Sequence, residues 1–496
     1  MLYLVRSLLG AALLLQLLHN SVASSLLTPP QLALIVAFED VYDLSLLANT
    51  ISGLGIETTL VVSSSGASYE RYENLNGVEL ISINNTSLGA GDDDDRAVKL
   101  CDSFISDINV MQYAQKMQPT FVIFPGVRHD ACLLPWTLSI HSIPVIWARG
   151  HYEEFYAFTK TGMALPVHEL NFVQSFIESL NLRFFVYNIE NKYVVPTQKM
   201  LLEKLSQATI PLSNLYSNVQ LVLWGADPIL RNNYSPLTQL VAEIGCHHCR
   251  GPQPLPADLQ KELIEFRTGT IAVLLDENYE ALVYDLAQKL PNNRQGLAVM
   301  WKNKNTKSDK DKPSNLFIHR NVDRQDIIGY PRTRLVLCHC TDSEFLESAF
   351  HGTPMVCFPR KLDEQRNALR AHQLGFGYIF ESSVVSDNVA NVVKEIHQST
   401  HYRENARSAS QAIRDRSSHA MDRIQFWLGY TARHYGESKN LLLPKKVSTY
   451  NETLQVIIGA LLGFFFAIML SVLFYFSIQF RDISKKKFDH KKKHKK

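Results

Sequence analysis

The sequence has little of what marks non-globular chains. It contains 23 glycines and 20 prolines in 496 residues, only two long apolar runs, and no repeat of a few tens of residues. Hydrophobic residues make up 46% and charged residues 20%. This composition excludes a mostly disordered chain, a collagen-like chain and a polytopic membrane protein, and the missing repeat excludes a solenoid. At about 100–200 residues per domain, the length predicts two or three domains.

Outside its C-terminal segment, the chain also lacks the excess of basic residues that nucleic-acid-binding proteins carry. The formal net charge is +2, but nine Lys and Arg residues against two Asp lie in residues 481–496. Without that segment the chain carries 41 basic and 46 acidic side chains, a net charge of about −5. We therefore expect no nucleic-acid partner, and we interpret the basic end as an address or a surface anchor.

The two apolar runs predict targeting and membrane anchoring. Residues 1–24 have one charge, at Arg6, before a short apolar core and small residues, which is typical of a cleaved signal peptide. An uncleaved N-terminal anchor is the alternative. Residues 456–478 lack charge and are long enough to cross a bilayer, with the basic tail 479–496 in the cytosol. We expect a single-pass protein of the endoplasmic reticulum membrane with the bulk of the chain in the lumen.

N-glycosylation signals in the sequence support the expectation that the bulk of the chain lies in the lumen. Four Asn residues precede X-Ser/Thr: Asn84, Asn85, Asn233 and Asn451. The signals at Asn84 and Asn85 overlap, so we do not expect both residues to carry a glycan.

The seven cysteines are an odd number, so at least one thiol stays unpaired even where disulfides form. Residues 246–249 read Cys-His-His-Cys, which is half of a zinc site or one local disulfide. No second pair completes a zinc site, so we expect no metal. Cys338, Cys340 and Cys357 lie in apolar, strand-like runs, where Cys usually acts as a small buried hydrophobe.

Short apolar runs alternate with helical patterns along the chain. A Pro-rich segment at 250–260 interrupts the alternation and is typical of a linker. Strand–helix–strand units of this kind predict parallel sheets with right-handed crossovers, here two doubly wound α/β domains. Such folds bind ligands at the carboxyl ends of their strands. The predicted strands are 32–38, 58–64, 120–126, 143–148, 220–228, 270–277, 297–301, 316–320, 334–339 and 354–359.

Several segments, in order, resemble the UDP-glucuronosyltransferases and related UDP-glycosyltransferases. They are IGCHHCRGPQPLPADLQ, RQDIIGYPRTRLVLCHCTDSEFLESAFHGTPMVCFPRKLDEQRNA, YRENARSAS and DRIQFWLGYTARHYG. The resemblance implies a GT-B fold, with an acceptor-binding domain at 25–245, a linker at 246–266 and a UDP-sugar-binding domain with closing helices at 267–440. It also implies a direct displacement on a UDP-sugar co-substrate, with inversion and without a metal or another cofactor.

The resemblance further implies which residues bind the donor. His339 and the helix start at Ser343 match the diphosphate site, and free N–H groups at a helix start suit such an anion. Glu347 matches the carboxylate that holds ribose. Asp363, Glu364 and Asn367 match the positions that bind the sugar.

The chain departs from the family at its catalytic positions. The loop after the first strand has no His, and Asp40 stands near the catalytic position. The family's partner Asp follows the strand at 120–126, where Asp130 is the only carboxylate of the loop. Either would serve as the base, although a carboxylate is a weaker base than imidazole unless burial raises its pKa.

The phosphate loops have also changed. Relatives carry Ser-Leu-Gly-Ser where this chain has a segment that ends with Asp276 and Glu277. The family's Gly pair after the signature His is Cys340 and Thr341 here, and Asp342 and Glu344 follow it. Up to four carboxylates would therefore repel a diphosphate. Arg324, Arg360 and Lys361 replace uncharged residues nearby, and they would either neutralise these acids or grip a phosphate.

Two functional hypotheses remain open. The first is an active UDP-glycosyltransferase that moves a hexose or hexuronate to a lipophilic acceptor in the lumen. The second is a catalytically dead relative that acts as a binding or regulatory partner in the same membrane. Homo- or hetero-oligomers with related transferases fit both hypotheses.

Overall fold

The computed structural model describes two α/β domains and a long C-terminal helix. The described residues are 31–38, 41–63, 75–83, 93–126, 129–149, 184, 187–188, 190–205, 215–227, 230, 238–290, 295–300, 312–319, 322–380, 386–437 and 450–493. The signal-like segment and Asn84, Asn85 and Asn233 lie outside them, as does Asp40. Asn451 falls in the first turn of the last helix.

The first domain is built on a seven-stranded sheet in which every paired neighbour is parallel, ordered β3-β2-β1-β4-β5-β6-β7. Its central strands are buried on both faces because helices cover them, as continuous apolar runs such as LALIVA require, whereas the edge strand β3 is largely exposed. The strands are β1 Leu32–Ala37, β2 Glu57–Ser63, β3 Val78–Ile83, β4 Phe121–Pro125, β5 Ile143–Ala148, β6 Leu221–Trp224 and β7 Val241–Glu243, and the helices are α1 Val41–Gly53, α2 Asp93–Ser106, α3 Ile108–Met117, α4 Asp130–Ser139 and α5 Val195–Leu205.

The second domain has a six-stranded sheet, also parallel, ordered β10-β9-β8-β11-β12-β13. Helix α6 Ala257–Ile264 lies between the two sheets in the chain. The strands are β8 Gly269–Val273, β9 Gln295–Met300, β10 Leu316–His319, β11 Thr333–Cys338, β12 Met355–Cys357 and β13 Gly377–Ile379, and the helices are α7 Glu280–Lys289, α8 Arg324–Ile328, α9 Asp342–His351, α10 Leu362–Gln373, α11 Ser386–Gln398 and α12 Thr400–Arg414. Two parallel-sheet domains confirm the predicted fold class.

Helix α13 Ala420–Arg433 packs on the first domain, although the sequence pattern groups it with the second. Its Ile424 and Leu428 are fully buried in the core that covers one face of the first sheet. Arg423 Nε donates to the Glu243 carbonyl oxygen at 2.6 Å, and Arg416 forms an ion pair with Asp227. The chain therefore crosses back after the second sheet and ties the two domains together.

Six cysteines form three disulfides: Cys101–Cys132, Cys246–Cys249 and Cys340–Cys357. The Cys-His-His-Cys turn is thus a local disulfide, one of its two predicted readings. Cys340 and Cys357 are bonded rather than simple buried hydrophobes, because the parallel pairing of β11 with β12 brings the two strand ends together. Cys338 remains a buried free thiol, as odd parity requires.

The final helix α14 spans Tyr450–Lys493. Its apolar part, Ile457–Gln479, is long and apolar enough to cross a membrane, and it is not buried by the rest of the protein. The helix continues through the basic tail, so the predicted span is the middle of one longer helix. One such helix fits a single-pass membrane protein.

Candidate active site

Side chains of Thr341 and Glu344 form hydrogen bonds with backbone N–H groups at the start of helix α9. Thr341 is the N-cap: its Oγ1 accepts from the Glu344 N–H at 3.4 Å, and its own N–H donates to Glu344 Oε2 at 3.0 Å. This capping box satisfies one N–H at the helix start and that of the cap itself. Cys340, just before it, has a φ of 64°, a left-handed conformation that suits glycine and costs other residues about 1–2 kcal/mol. The Cys340–Cys357 disulfide holds the strained residue in place.

His339 follows β11, and both nitrogens of its ring are engaged in hydrogen bonds. Its Nδ1 donates to the Phe358 carbonyl oxygen at 2.9 Å, and its Nε2 accepts from the Asp276 backbone N–H at 3.1 Å. The ring is buried, with 3% of the residue exposed. In this arrangement neither ring nitrogen is directed to a ligand.

Glu347 is fully buried and is clasped by two basic residues. Arg324 donates through Nε to Oε2 at 2.5 Å and through Nη2 to Oε1 at 2.6 Å. His248, from the Cys-His-His-Cys turn, lies 3.1 Å from Oε1. Arg324 also stacks on Tyr42 of the first domain, 4.6 Å from the ring centroid. Burial alone would raise the pKa of Glu347, but the two basic partners outweigh it and lower this pKa to about 2.

Arg360 neutralises two acids, Asp276 in the loop after β8 and Glu364 in the first turn of α10. Its Nη1 donates to Asp276 Oδ2 at 2.7 Å, and its Nη2 donates to Glu364 Oε1 at 2.9 Å. Glu364 Oε2 also accepts from the backbone N–H groups of Arg360 and Lys361. The side chain of Arg360 is 41% exposed, whereas that of Glu364 is 6% exposed. The Lys361 side chain is exposed. Of the two predicted uses of these cations, Arg360 performs the neutralisation.

Asp363 lies between the two domains. Its carboxylate is 3.5 Å from Arg149, which follows β5 of the first domain, and 3.5 Å from Arg366 on its own helix. Arg149 is also 3.9 Å from Asp342. Asn367 donates to the Cys340 carbonyl oxygen at 3.0 Å and to Asp342 at 2.9 Å, and so joins α10 to the start of α9.

A cavity of about 800 Å³ separates the domains at this level. Its described lining combines apolar side chains with polar groups from both domains. Ser343 of α9 is buried and takes part in the lining. The remaining residues that matter to its chemistry are Asp43, Trp147, Arg149, His247, His248, Asp342, Phe345 and Asn367. A cleft between two domains that is lined by apolar side chains and a few polar groups is typical of a small-molecule site.

The chain matches the family model described as UDP-glucoronosyl and UDP-glucosyl transferase over residues 89–494. It belongs to this family. It is 24% identical to human UDP-glucuronosyltransferase 1A8 over 397 residues, 75% of this chain and 71% of that protein. It is 28% identical to UDP-glucosyltransferase 2 of Dactylopius coccus, over 40% of each chain. A solved UDP-glucosyltransferase from Polygonum tinctorium shares the fold, with a TM-score of 0.55 at 16% identity, over 82% of this chain and 99% of that structure.

The six residues predicted to bind the donor lie near the carboxyl ends of the strands of the second sheet. His339 follows β11, Ser343 and Glu347 lie on α9, and Asp363, Glu364 and Asn367 lie on α10. The structure brings all six together, but Glu347 and Glu364 are engaged by Arg324 and Arg360 rather than directed to the cavity.

Of the two residues predicted to act as the catalytic base, the structure describes one. Asp40 is outside the described residues. Asp130 begins α4, is fully buried and accepts a hydrogen bond from the Tyr216 hydroxyl. It is not among the described residues that line the cavity. As arranged, Asp130 supports the first domain rather than contacting a bound acceptor.

Sequence reasoning missed three cavity residues. Arg149 follows a predicted strand, and Asp43 lies in the first turn of α1, which follows β1. Both residues could have been predicted from their positions, because ligands of such folds bind at the carboxyl ends of the strands. His247 lines the cavity because the Cys246–Cys249 disulfide closes the turn around it. Burial lowers the pKa of His247 well below 6.5, so it is neutral at pH 7 but a weak base.

Proposed function

We propose that this protein is a UDP-sugar-dependent glycosyltransferase of the endoplasmic reticulum membrane, with its two domains in the lumen. It would transfer a hexose or hexuronate to a lipophilic acceptor. The convergence of Ser343, Asp363 and Asn367 on the side of the second domain that faces the first domain carries this proposal. The signal-like N-terminus, the single apolar helix and the basic end support the membrane location. The UDP-sugar is a co-substrate, and the proposal includes no other cofactor and no metal.

In the proposed reaction an acceptor oxygen attacks the anomeric carbon while the bond to the UDP phosphate breaks. Asp363 would bind sugar hydroxyls, as its position beside the cavity permits. The start of α9 would face the leaving diphosphate, where the helix dipole favours negative charge. The acceptor proton needs a base within hydrogen-bond reach. Asp40 remains our candidate, and the described cavity wall adds Asp43 and the neutral His247.

Calorimetry with the full-length protein in detergent tests the donor site. We expect UDP and a UDP-sugar to bind in the micromolar to tens of micromolar range. Asp363→Asn should weaken UDP-sugar binding about tenfold and leave UDP binding unchanged, because this carboxylate would contact only the sugar. Arg433→Gln, an exposed change on α13, is the control. Equal loss of both ligands in Asp363→Asn, or no binding of UDP at millimolar concentration by the folded protein, would contradict the assignment.

The second candidate is a family member that no longer transfers sugar and serves as a binding or regulatory partner, alone or in oligomers with related transferases. The Glu347 cluster favours it. Both oxygens of the carboxylate that would hold ribose are bonded to Arg324 and His248, and the side chain has no exposed surface. A ribose would have to displace a buried ion pair, which weakens binding by the energy of that pair.

Arg324→Gln discriminates between the two candidates. Relatives carry glutamine at this position. A glutamine side chain has no charge to neutralise the Glu347 carboxylate, and it cannot donate to both carboxylate oxygens as Arg324 does. If Arg324 alone closes the site, the variant should bind UDP at least tenfold more tightly than the wild type, even though its stability falls. If UDP affinity is unchanged in a folded variant and no UDP-sugar is turned over, the non-catalytic candidate is favoured.

A further inference from the structure

A second polar cavity lies at the opposite end of the second sheet, away from the donor site. It has a volume of about 480 Å³ and opens where β11 begins and the turn at Gly352 leads into β12. Arg334 comes from β11, and Arg403 and Arg407 come from α12. Because β11 has six residues, the cavity is about 20 Å from His339 at the other end of that strand.

The charge in this cavity is of one sign. Its described lining contains Arg334, Arg403 and Arg407 but no Asp or Glu. In the described part of the chain none of these three guanidinium groups forms an ion pair with a carboxylate. Burial, together with the neighbouring Arg334 and Arg407, lowers the pKa of Arg403. Burial, together with Arg403 and Arg334, lowers the pKa of His397 to about 4. Such a cluster repels itself unless an anion lies within it.

Arg334 and Arg403 are held by contacts with the protein, and Arg403 retains a donor that is free in the described part of the chain. Arg403 Nη2 donates weakly to the His397 carbonyl oxygen at 3.4 Å, and its buried Nε has no hydrogen-bond partner among the described residues. The stem of Arg334 lies against Gly269, where a Cβ would come within 2.7 Å of Arg334 Cγ. Gly269 has a φ of 109°, so glycine is required there for backbone and packing reasons alike. His351 Nε2, also in the cavity lining, is buried without a partner among the described residues.

We propose that Arg334, Arg403 and Arg407 form a binding site for a phosphate-type oxyanion. A guanidinium group offers a planar fork of N–H donors that matches phosphate oxygens, and several forks together bind a dianion more strongly than one. The cavity exceeds the size of inorganic phosphate, so a phosphate ester with a small organic body also fits. The site is independent of the donor site, and it stands whether or not the protein transfers sugar.

The test measures binding of inorganic phosphate and glycerol 3-phosphate to the full-length protein in detergent. We expect saturable binding by calorimetry in the presence of saturating UDP, which keeps the donor site out of the signal. The double variant Arg334→Gln/Arg403→Gln should lose at least 90% of the affinity. Arg433→Gln, which also removes one positive charge but lies on α13, should bind as the wild type does.

Thermal unfolding gives a second readout that does not depend on a tight complex. Phosphate should raise the unfolding temperature of the wild type more than chloride at equal ionic strength. Arg403→Gln should be more stable than the wild type without phosphate, because like-charge repulsion is relieved, and should gain less from phosphate. Binding of either anion by the wild type and its loss in the double variant support the proposal. Equal effects of phosphate and chloride, or phosphate binding that survives the double variant, overturn it.

Discussion

Replacing Glu347 with Gln is expected to destabilise the second domain by about 3–5 kcal/mol. The change leaves the buried guanidinium of Arg324 without a carboxylate, and breaking one partner of a buried pair costs this amount. Thermal unfolding of the full-length protein should show a fall of roughly 10 °C for a domain of this size. Glu265→Gln, which alters an exposed carboxylate, is the matched control.

The difference in the free energy of unfolding between the wild type and Glu347→Gln should decrease as the pH is lowered. The folded pKa of about 2 lies below the ordinary value of 4.5, so the stabilisation is fully present above about pH 4.5. It is lost as pH falls through about 2, where the folded carboxylate is protonated. The shift corresponds to about 3 kcal/mol, which agrees with the mutational expectation. A stability difference that stays constant from pH 6 to pH 2.5 would show that Glu347 is not held as a charged partner.

Replacing Arg360 with Ala is expected to weaken UDP binding about ten- to a hundredfold. The change leaves Asp276 and Glu364 without the cation that bridges them, next to where the diphosphate would lie. One uncompensated carboxylate about 5 Å from a phosphate costs roughly 1–3 kcal/mol, depending on the effective dielectric constant. The loss should shrink as salt is added, because Arg360 is partly exposed and its field is screened.

Two further variants identify the cause of this loss. Lys361→Ala removes the neighbouring, exposed cation and should change UDP affinity less than threefold. Adding Asp276→Asn to Arg360→Ala should restore part of the affinity, because it removes one of the two repelling charges. Calorimetry on all four proteins measures both effects. If Arg360→Ala binds UDP as the wild type does, Arg360 does not support a phosphate site.

The strands of both sheets were predictable to the extent that they are long and buried. The run LALIVA and the last four residues of TRLVLC are apolar because helices cover both faces of a parallel strand. Three edge strands were missed: β3, β7 and β13. The last two have three residues each, and β3 is largely exposed, so neither length nor apolarity distinguishes them from loops.

The residues that the resemblance assigns to the donor lie close together in the chain, so their clustering at one end of the second sheet was predictable. Their partners were not. Arg149 and Tyr42 come from the first domain and meet this motif only because the two domains face each other. His248 comes from the linker turn, which packs on the second domain. Likewise, α13 packs on the first domain through two buried aliphatic residues whose spacing would serve either domain equally well.

The sequence by itself therefore determined the fold class, the family and the apolar span of the last helix. Hydrophobic periodicity, motif order and the length of an uncharged run are local properties that can be read along the chain. Only the tertiary structure decided which charges meet. It placed Arg324 on Glu347 and Arg360 between Asp276 and Glu364, and it gathered Arg334, Arg403 and Arg407 without an acid among the described residues of their cavity. Electrostatic energy depends on distances of a few ångströms between residues distant in sequence, and folding sets those distances.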